Sequence, residues 1–148
     1  MNGLTEVFQF GDLNWLAVIV SAIAAFVIGG VWYNSKGRVG KAWLSEKKFT
    51  KAQMKQIEKS EAMTGVIGLT FAINLLQALV LALVLNALGI FEAVEGMLFG
   101  AVVGAVWAAG SLGVNYAYGL KTLKLFAIDA GYIVASFTVI GLVLGAWQ

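Results

Sequence analysis

One carboxylate, Asp129, stands inside a long apolar stretch, KLFAIDAGYIVASF, at residues 124–137. A charged side chain at the centre of a membrane helix costs roughly 2.5–3.5 kcal/mol on insertion scales, so such residues usually have a partner or a function. The residues four positions before and after it are Leu125 and Ile133, which offer no ion pair within the same helix. We therefore expect the partner of Asp129 to come from another helix, from water or from a ligand.

Other polar side chains occur at comparable depths in the apolar stretches. Tyr132 shares a helix face with Asp129, and Asn115 lies at a similar depth in the preceding stretch. Asn74 and Gln77 lie nearer the middle of an earlier stretch. These positions predict an intramembrane polar cluster of Asp129, Asn115, Asn74, Gln77 and Tyr132. Two interpretations stay open: a structural cluster that fixes helix register, or a site that lines an aqueous path or binds a cation, a proton or a polar ligand.

The composition indicates a membrane protein and leaves little for catalysis. Of 148 residues, 60% are hydrophobic and only 12% are charged, against about 25% charged in soluble domains. The chain has no His and no Cys, so the commonest general base, the commonest metal ligand and the thiolate nucleophile are all missing. We predict no catalytic residue, no metal site and no cofactor, and hence no enzyme.

Four apolar stretches are long enough to cross the hydrocarbon core, which takes roughly 20 helical residues. They cover about residues 13–33, 64–88, 96–118 and 123–147. The predicted fold class is therefore an all-α membrane protein, a four-transmembrane-helix bundle, with residues 1–148 forming a single membrane domain.

The basic residues predict the orientation. All ten lie in two connecting segments, and the N-terminal segment carries Glu6 and Asp12 instead. The positive-inside rule then places both basic segments in the cytoplasm and both termini outside. The ten residues are Lys36, Arg38, Lys41, Lys47, Lys48, Lys51, Lys55, Lys59, Lys121 and Lys124.

The cytoplasmic loop at residues 34–63 is the largest segment outside the predicted spans. Thr50 and Gln53 have the spacing of a capping box, which predicts a short helix that runs on into the second span. Before it, Val39, Trp43 and Leu44 alternate with basic residues, which suits a segment lying on lipid headgroups. We expect the loop to bind anionic headgroups, at about 1 kcal/mol per charge near the surface. No motif indicates nucleic-acid binding.

The third stretch carries small residues at spacings of four, four, four and three: Gly96, Gly100, Gly104, Ala108 and Ser111. Small residues on one helix face let two helices approach closely in lipid. The stripe therefore predicts a packing surface, within one chain or between subunits, and a ligand-contacting groove is the alternative.

Several short motifs resemble a family of small bacterial four-helix membrane proteins known as domain of unknown function 1761. The likeness runs from about Phe10 to Trp147 and is most specific at five places: Asn14-Trp15, Trp32-Tyr33, Gly40-Lys41-Ala42-Trp43, Asn115-Tyr116 and Asp129-Ala130-Gly131-Tyr132. The resemblance supports the four-helix fold and the placement of Asp129 within it. It implies a multi-pass protein of the bacterial inner membrane, but no activity.

Two functions remain as hypotheses. The first is a helix-packing scaffold or accessory subunit that forms homo-oligomers or joins a larger membrane complex. The alternative is a small oligomeric channel or transporter with the polar cluster around Asp129 on its path. The orientation of the Asp129 carboxylate, toward packed protein or toward a hydrated cavity, discriminates between them.

Overall fold

The protein is built from helices joined by short connections. A computed structural model describes residues 9–57 and 59–147, and the side chains of all of these except residues 60–62. The helices are α1 (Trp15–Trp32), α2 (Arg38–Lys47), α3 (Lys51–Ile57), α4 (Ser60–Leu88), α5 (Ala93–Tyr118) and α6 (Leu123–Trp147), preceded by a 3-10 turn at Phe10–Asp12. Glu6, part of the acidic segment used for orientation, lies outside the described residues.

Four helices are long and apolar enough to cross a membrane. They are α1, α5, α6 and the part of α4 from Met63 to Leu88. The described part of the chain contains no strand. The predicted fold class, all-α with four spans, is confirmed.

Helix α6 lies at the centre of the bundle, with α1 and α5 packed along it. The buried core joins α1, α4 and α6, and Ala17, Ala22 and Ala25 on α1 are fully buried. These small side chains let the backbone of α1 approach its neighbours closely. The remaining core positions are Leu13, Val18, Ala78, Leu81, Ala82, Leu83, Leu85, Ile140 and Leu144.

Glycines bring α5 and α6 into direct backbone contact. A Cβ added at Gly96 would collide with the carbonyl oxygen of Gly141, and one added at Gly141 would collide with that of Gly96. At Gly100 the collision would be with the carbonyl oxygen of Phe137. The first part of the predicted small-residue stripe therefore packs within the chain, against α6.

The stripe changes register halfway along α5. Residues Gly104–Ala108 form a π-helical turn, and the N–H of Ala109 donates to the carbonyl oxygen of Gly104, five residues back. A π turn inserts one residue into the α-helical repeat, so the packed face continues at Ala109 rather than at Ala108. Ala108 is only half-buried and Ser111 is exposed. Within the chain, Ala108 and Ser111 therefore do not continue the α5–α6 contact that Gly96, Gly100 and Gly104 make.

The loop before the second span holds two helices. The capping box is present at the start of α3: the Thr50 N–H donates to Gln53 Oε1 at 2.8 Å, and the Gln53 N–H donates to Thr50 Oγ1 at 3.3 Å. Helix α3 does not run on into the second span, because Lys59 has an extended backbone (φ −73°, ψ 120°) just before α4. The segment at residues 38–47, expected to lie on the headgroups, is helix α2.

Candidate functional site

The carboxylate of Asp129 is held by two phenols from two other segments. The Tyr33 hydroxyl, at the end of α1, donates to Oδ1 at 2.8 Å. The Tyr116 hydroxyl, near the end of α5, donates to Oδ2 at 2.5 Å. Asp129 is 8% exposed, and each of its oxygens has a donor. The residue therefore ties α1, α5 and α6 together at one point.

Helix α2 adds a cation to this cluster. The Lys47 ammonium lies 3.9 Å from Asp129 Oδ2 and 5.2 Å from the centre of the Trp43 ring. Its side chain is 30% exposed, so water screens the pair and the two phenols carry most of the stabilisation. We refer to Asp129, Tyr33, Tyr116 and Lys47 as the Asp129 clasp.

Aromatic rings cover the clasp on the side of α2. The Tyr33 ring lies 5.1 Å from that of Trp43 and 5.2 Å from that of Tyr132, edge to face in both cases. Phe49 lies 5.8 Å beyond Trp43. Such pairs add about 0.5–1.5 kcal/mol each beyond their buried area. Helix α2 thus lies across one end of the bundle, which we call the basic end because α2, α3 and the α5–α6 connection carry the Lys and Arg residues there.

A second polar contact fixes α2 to the start of α6. The Thr122 hydroxyl donates to Glu46 Oε2 at 2.5 Å, and the Lys124 ammonium lies 3.2 Å from Glu46 Oε1. The hydrogen bond from Thr122, followed by the contact with Lys124, lowers the pKa of Glu46 below its ordinary value of 4.5. The contact therefore favours the ionised form of Glu46.

Docking of α2 is expected to weaken in acid. A carboxyl whose pKa is lowered on folding adds stability above its unfolded pKa and loses it as the pH falls through the folded pKa. Hydrogen exchange of the amides at residues 38–47 should therefore show protection at pH 7 that declines below about pH 4.5. Glu46→Gln is compared with the wild type at each pH, which removes the intrinsic pH dependence of exchange. The variant should show a smaller decline. Equal declines in both proteins would contradict the role of Glu46.

The structure distributes the predicted polar cluster over three places. Tyr132 lies beside Asp129, through its ring contact with Tyr33. Asn115 does not reach Asp129: it is exposed, and its amide donates to the Ser111 carbonyl at 3.0 Å. Its inclusion in the cluster is wrong, because the π turn rotates Tyr116 into the place that regular spacing gives to Asn115. Asn74 and Gln77 line a cavity deeper in the bundle, and Tyr132 forms part of its wall.

Sequence reasoning missed three members of the clasp. Tyr33 and Tyr116 lie near the ends of their spans, where tyrosines commonly form an aromatic belt at the membrane interface, so their positions alone did not indicate a site. Lys47 lies in the long loop, where the sequence pattern indicates no particular partner for it. The sequence offered one usable signal. A buried acid with no partner on its own helix calls for donors at the same depth, and both tyrosines satisfy that condition.

The arrangement is suited to holding helices in place. Both carboxylate oxygens are occupied by phenol donors, and the lone cation is partly in solvent. Among the described residues, no group of three or more His, Cys, Asp or Glu side chains could hold a metal ion. The clasp therefore presents no free acid–base pair to a substrate.

Comparison with known proteins identifies one family. Its profile, described as "Protein of unknown function (DUF1761)", matches residues 16–145. This region contains every member of the clasp and all four spans except one residue at the start of the first and two at the end of the fourth. Comparison with curated proteins and with solved structures finds no match. Because the matched region covers nearly the whole chain, the protein belongs to the DUF1761 family, which is described as having unknown function.

Proposed function

We propose that this protein is a non-enzymatic scaffold or accessory subunit of the bacterial inner membrane. It packs sideways, through the basic-end half of α4, against a transmembrane helix of a second copy or of a larger complex. Its termini face outward and its basic end faces the cytoplasm, where the exposed lysines contact anionic headgroups.

The observation that carries this proposal is a solvent-accessible helix surface with two glycines at the start of the second span. Residues 65–69 of α4 are exposed without interruption. A Cβ added at Gly65 or at Gly68 would meet nothing within 4 Å, and Ala72 extends the same open face. Small residues on a membrane helix typically mark a helix–helix contact, because they let two backbones approach. Within the described part of the chain, nothing packs on Gly65 or Gly68 of this surface.

Two other features of the spans make their contacts within the chain. Gly96, Gly100 and Gly104 of α5 are packed on α6, and the oxygens of Asp129 are bonded to Tyr33 and Tyr116. This geometry favours the scaffold over the channel alternative, since a conducting acid needs access to water. The open face of α4, with Gly65, Gly68 and Ala72 on one side of the helix, is the surface that we propose for assembly.

Enlarging the open glycine is expected to prevent assembly without unfolding the protein. In Gly68→Leu, a bulky side chain would keep the partner helix away and weaken association at least tenfold, which corresponds to about 1.4 kcal/mol. The thermal stability of the monomer should not fall, because nothing lies within 4 Å of the added Cβ. The measurement is the mass distribution in lipid nanodiscs at several protein-to-lipid ratios, together with cross-linking in native membranes.

Gly30→Leu is the matched control, since Gly30 is equally open but lies on α1. It should assemble like the wild type. A purified wild type that forms dimers or larger assemblies identifies a second copy as the partner, whereas assembly seen only in native membranes identifies a larger complex. A wild type that is monomeric in both, or equal loss of assembly in Gly30→Leu and Gly68→Leu, would contradict the proposed surface.

A further inference from the structure

A small polar cavity lies between α4 and α6, and it reaches Tyr132, whose ring contacts Tyr33 of the Asp129 clasp. Its volume is about 130 Å³, and its polar walls include Asn74, Gln77 and Ser136. Asn74 and Ser136 are each 3% exposed. Among the residues that the structure describes, the Asn74 side-chain nitrogen and the Ser136 hydroxyl find no hydrogen-bond partner. A buried polar group left unpaired costs about 1–3 kcal/mol, so two of them on one cavity indicate that something fills it.

The cavity lies close to the middle of the membrane. Asn74 is eleven residues from Met63, or about 16 Å along the helix, and Ser136 is thirteen residues from Leu123, or about 20 Å. The hydrocarbon core is about 30 Å thick. No residue lining the cavity carries a charge. An ionic headgroup would therefore be costly here, and the occupant has to be neutral.

An apolar groove adjoins the polar cavity. Gln77 and Phe137 belong to the walls of both. The groove has a volume of about 580 Å³, within the range of roughly 300–1,000 Å³ that is common for small-molecule sites. It runs between α4 and α5, and its further walls are formed by Leu76, Val80, Val84, Phe99, Val103 and Trp107.

We propose that the two cavities together bind one neutral, lipid-soluble molecule that has a carbonyl head and a hydrocarbon tail, of the quinone type. The carbonyl oxygen accepts hydrogen bonds from the Asn74 amide and the Ser136 hydroxyl, and the tail lies along the groove toward Trp107. A plain hydrocarbon would leave both donors unpaired. Water would pair them but would not fill the apolar groove. The proposal concerns binding alone.

This site is independent of the assembly surface. Gly68 and Asn74 are six residues apart on α4, which places them about 120° apart around the helix axis. A variant of one face therefore leaves the other unchanged, and the two proposals fail or succeed separately.

Binding can be measured through the tryptophan in the groove. The full chain in lipid nanodiscs is titrated with decyl-benzoquinone, which quenches nearby indoles, and the saturable part of the quenching is separated from the linear part due to partitioning. Trp107→Leu should remove most of the saturable part. Asn74→Leu should weaken binding about tenfold, as expected for one lost hydrogen bond with the polar space filled. Ser136→Ala should weaken it several-fold.

The controls separate the head from the tail and the site from the fold. Asn115→Leu changes an asparagine outside the site and should bind like the wild type. Decane, which has no hydrogen-bond acceptor, competes for the tail alone and should displace the quinone weakly. Methyl decanoate tests an ester carbonyl in place of the ring. Thermal melts of all variants test whether each is folded. If only one of Asn74→Leu and Ser136→Ala is folded, that variant alone is sufficient for the test. Quenching that is linear in the wild type, unchanged in both polar variants, or outcompeted by methyl decanoate would overturn the proposal.

Discussion

Replacing Gly100 by alanine is expected to destabilise the bundle by about 1–3 kcal/mol, the usual cost of overpacking a tight contact. The added Cβ would collide with the backbone carbonyl oxygen of Phe137 on α6. A backbone atom in the middle of a helix cannot rotate aside as a side chain can, so α5 and α6 would have to separate. The cost should appear in reversible unfolding in mixed micelles.

The same substitution ten residues along the helix is the control. At Gly110 the nearest atom to an added Cβ is the Ala105 carbonyl oxygen at 3.9 Å, an ordinary contact. Gly110→Ala should therefore be neutral or slightly stabilising, since alanine favours the helix by up to about 1 kcal/mol over glycine. The two substitutions should therefore change the free energy of unfolding in opposite directions, because only Gly100 contacts the neighbouring helix. Equal effects would show that Gly100 does not lie on the α5–α6 contact.

The spans could be predicted from the sequence, because the physics that defines them is one-dimensional. A bilayer needs about twenty apolar residues per crossing, and every such run in the chain became a long helix. The start of the small-residue stripe could be predicted for a similar reason, since a spacing of four keeps Gly96, Gly100 and Gly104 on one face. What failed was the extrapolation past Gly104. Regular spacing cannot anticipate an inserted residue, and no proline or charge marks the π turn.

The position of the candidate site could be predicted from the sequence, but the residues that surround Asp129 could not. Asp129 is an exception within its own stretch, so the sequence alone identifies it as the residue to explain. Of its two hydrogen-bond partners, Tyr33 lies 96 residues before Asp129 and Tyr116 lies 13 residues before it. Only the packing of three helices brings these side chains together. Whether Asn115 or Tyr116 faces Asp129 depends on the π turn in α5, which shifts the packed face of the helix by one residue. That shift is a tertiary effect, visible only once α5 is packed on α6.

The second large effect is expected at Asp129 itself. Asp129→Ala removes the acceptor of two hydrogen bonds, each worth roughly 1.5–3 kcal/mol when one partner is charged. A loss near 3 kcal/mol, at the lower end for two such bonds, is expected because the basic end is partly open to water. Tyr33→Phe and Tyr116→Phe should each cost about 1.5 kcal/mol. Tyr118→Phe is the control, because Tyr118 lies on α5 like Tyr116 but is 89% exposed. It should change the free energy of unfolding by less than about 0.5 kcal/mol.

Non-additivity tests whether these residues act as a unit. Once Asp129 is alanine, the two phenols have no acceptor, and removing their hydroxyls should cost almost nothing further. The triple variant Asp129→Ala, Tyr33→Phe, Tyr116→Phe should therefore unfold close to Asp129→Ala alone, whereas independent contributions would add to about 6 kcal/mol. Full additivity would mean that each tyrosine stabilises the fold through some other contact. Strong coupling would instead place the energy in the three-helix junction, as a helix-fixing role requires and a solvated, conducting acid does not.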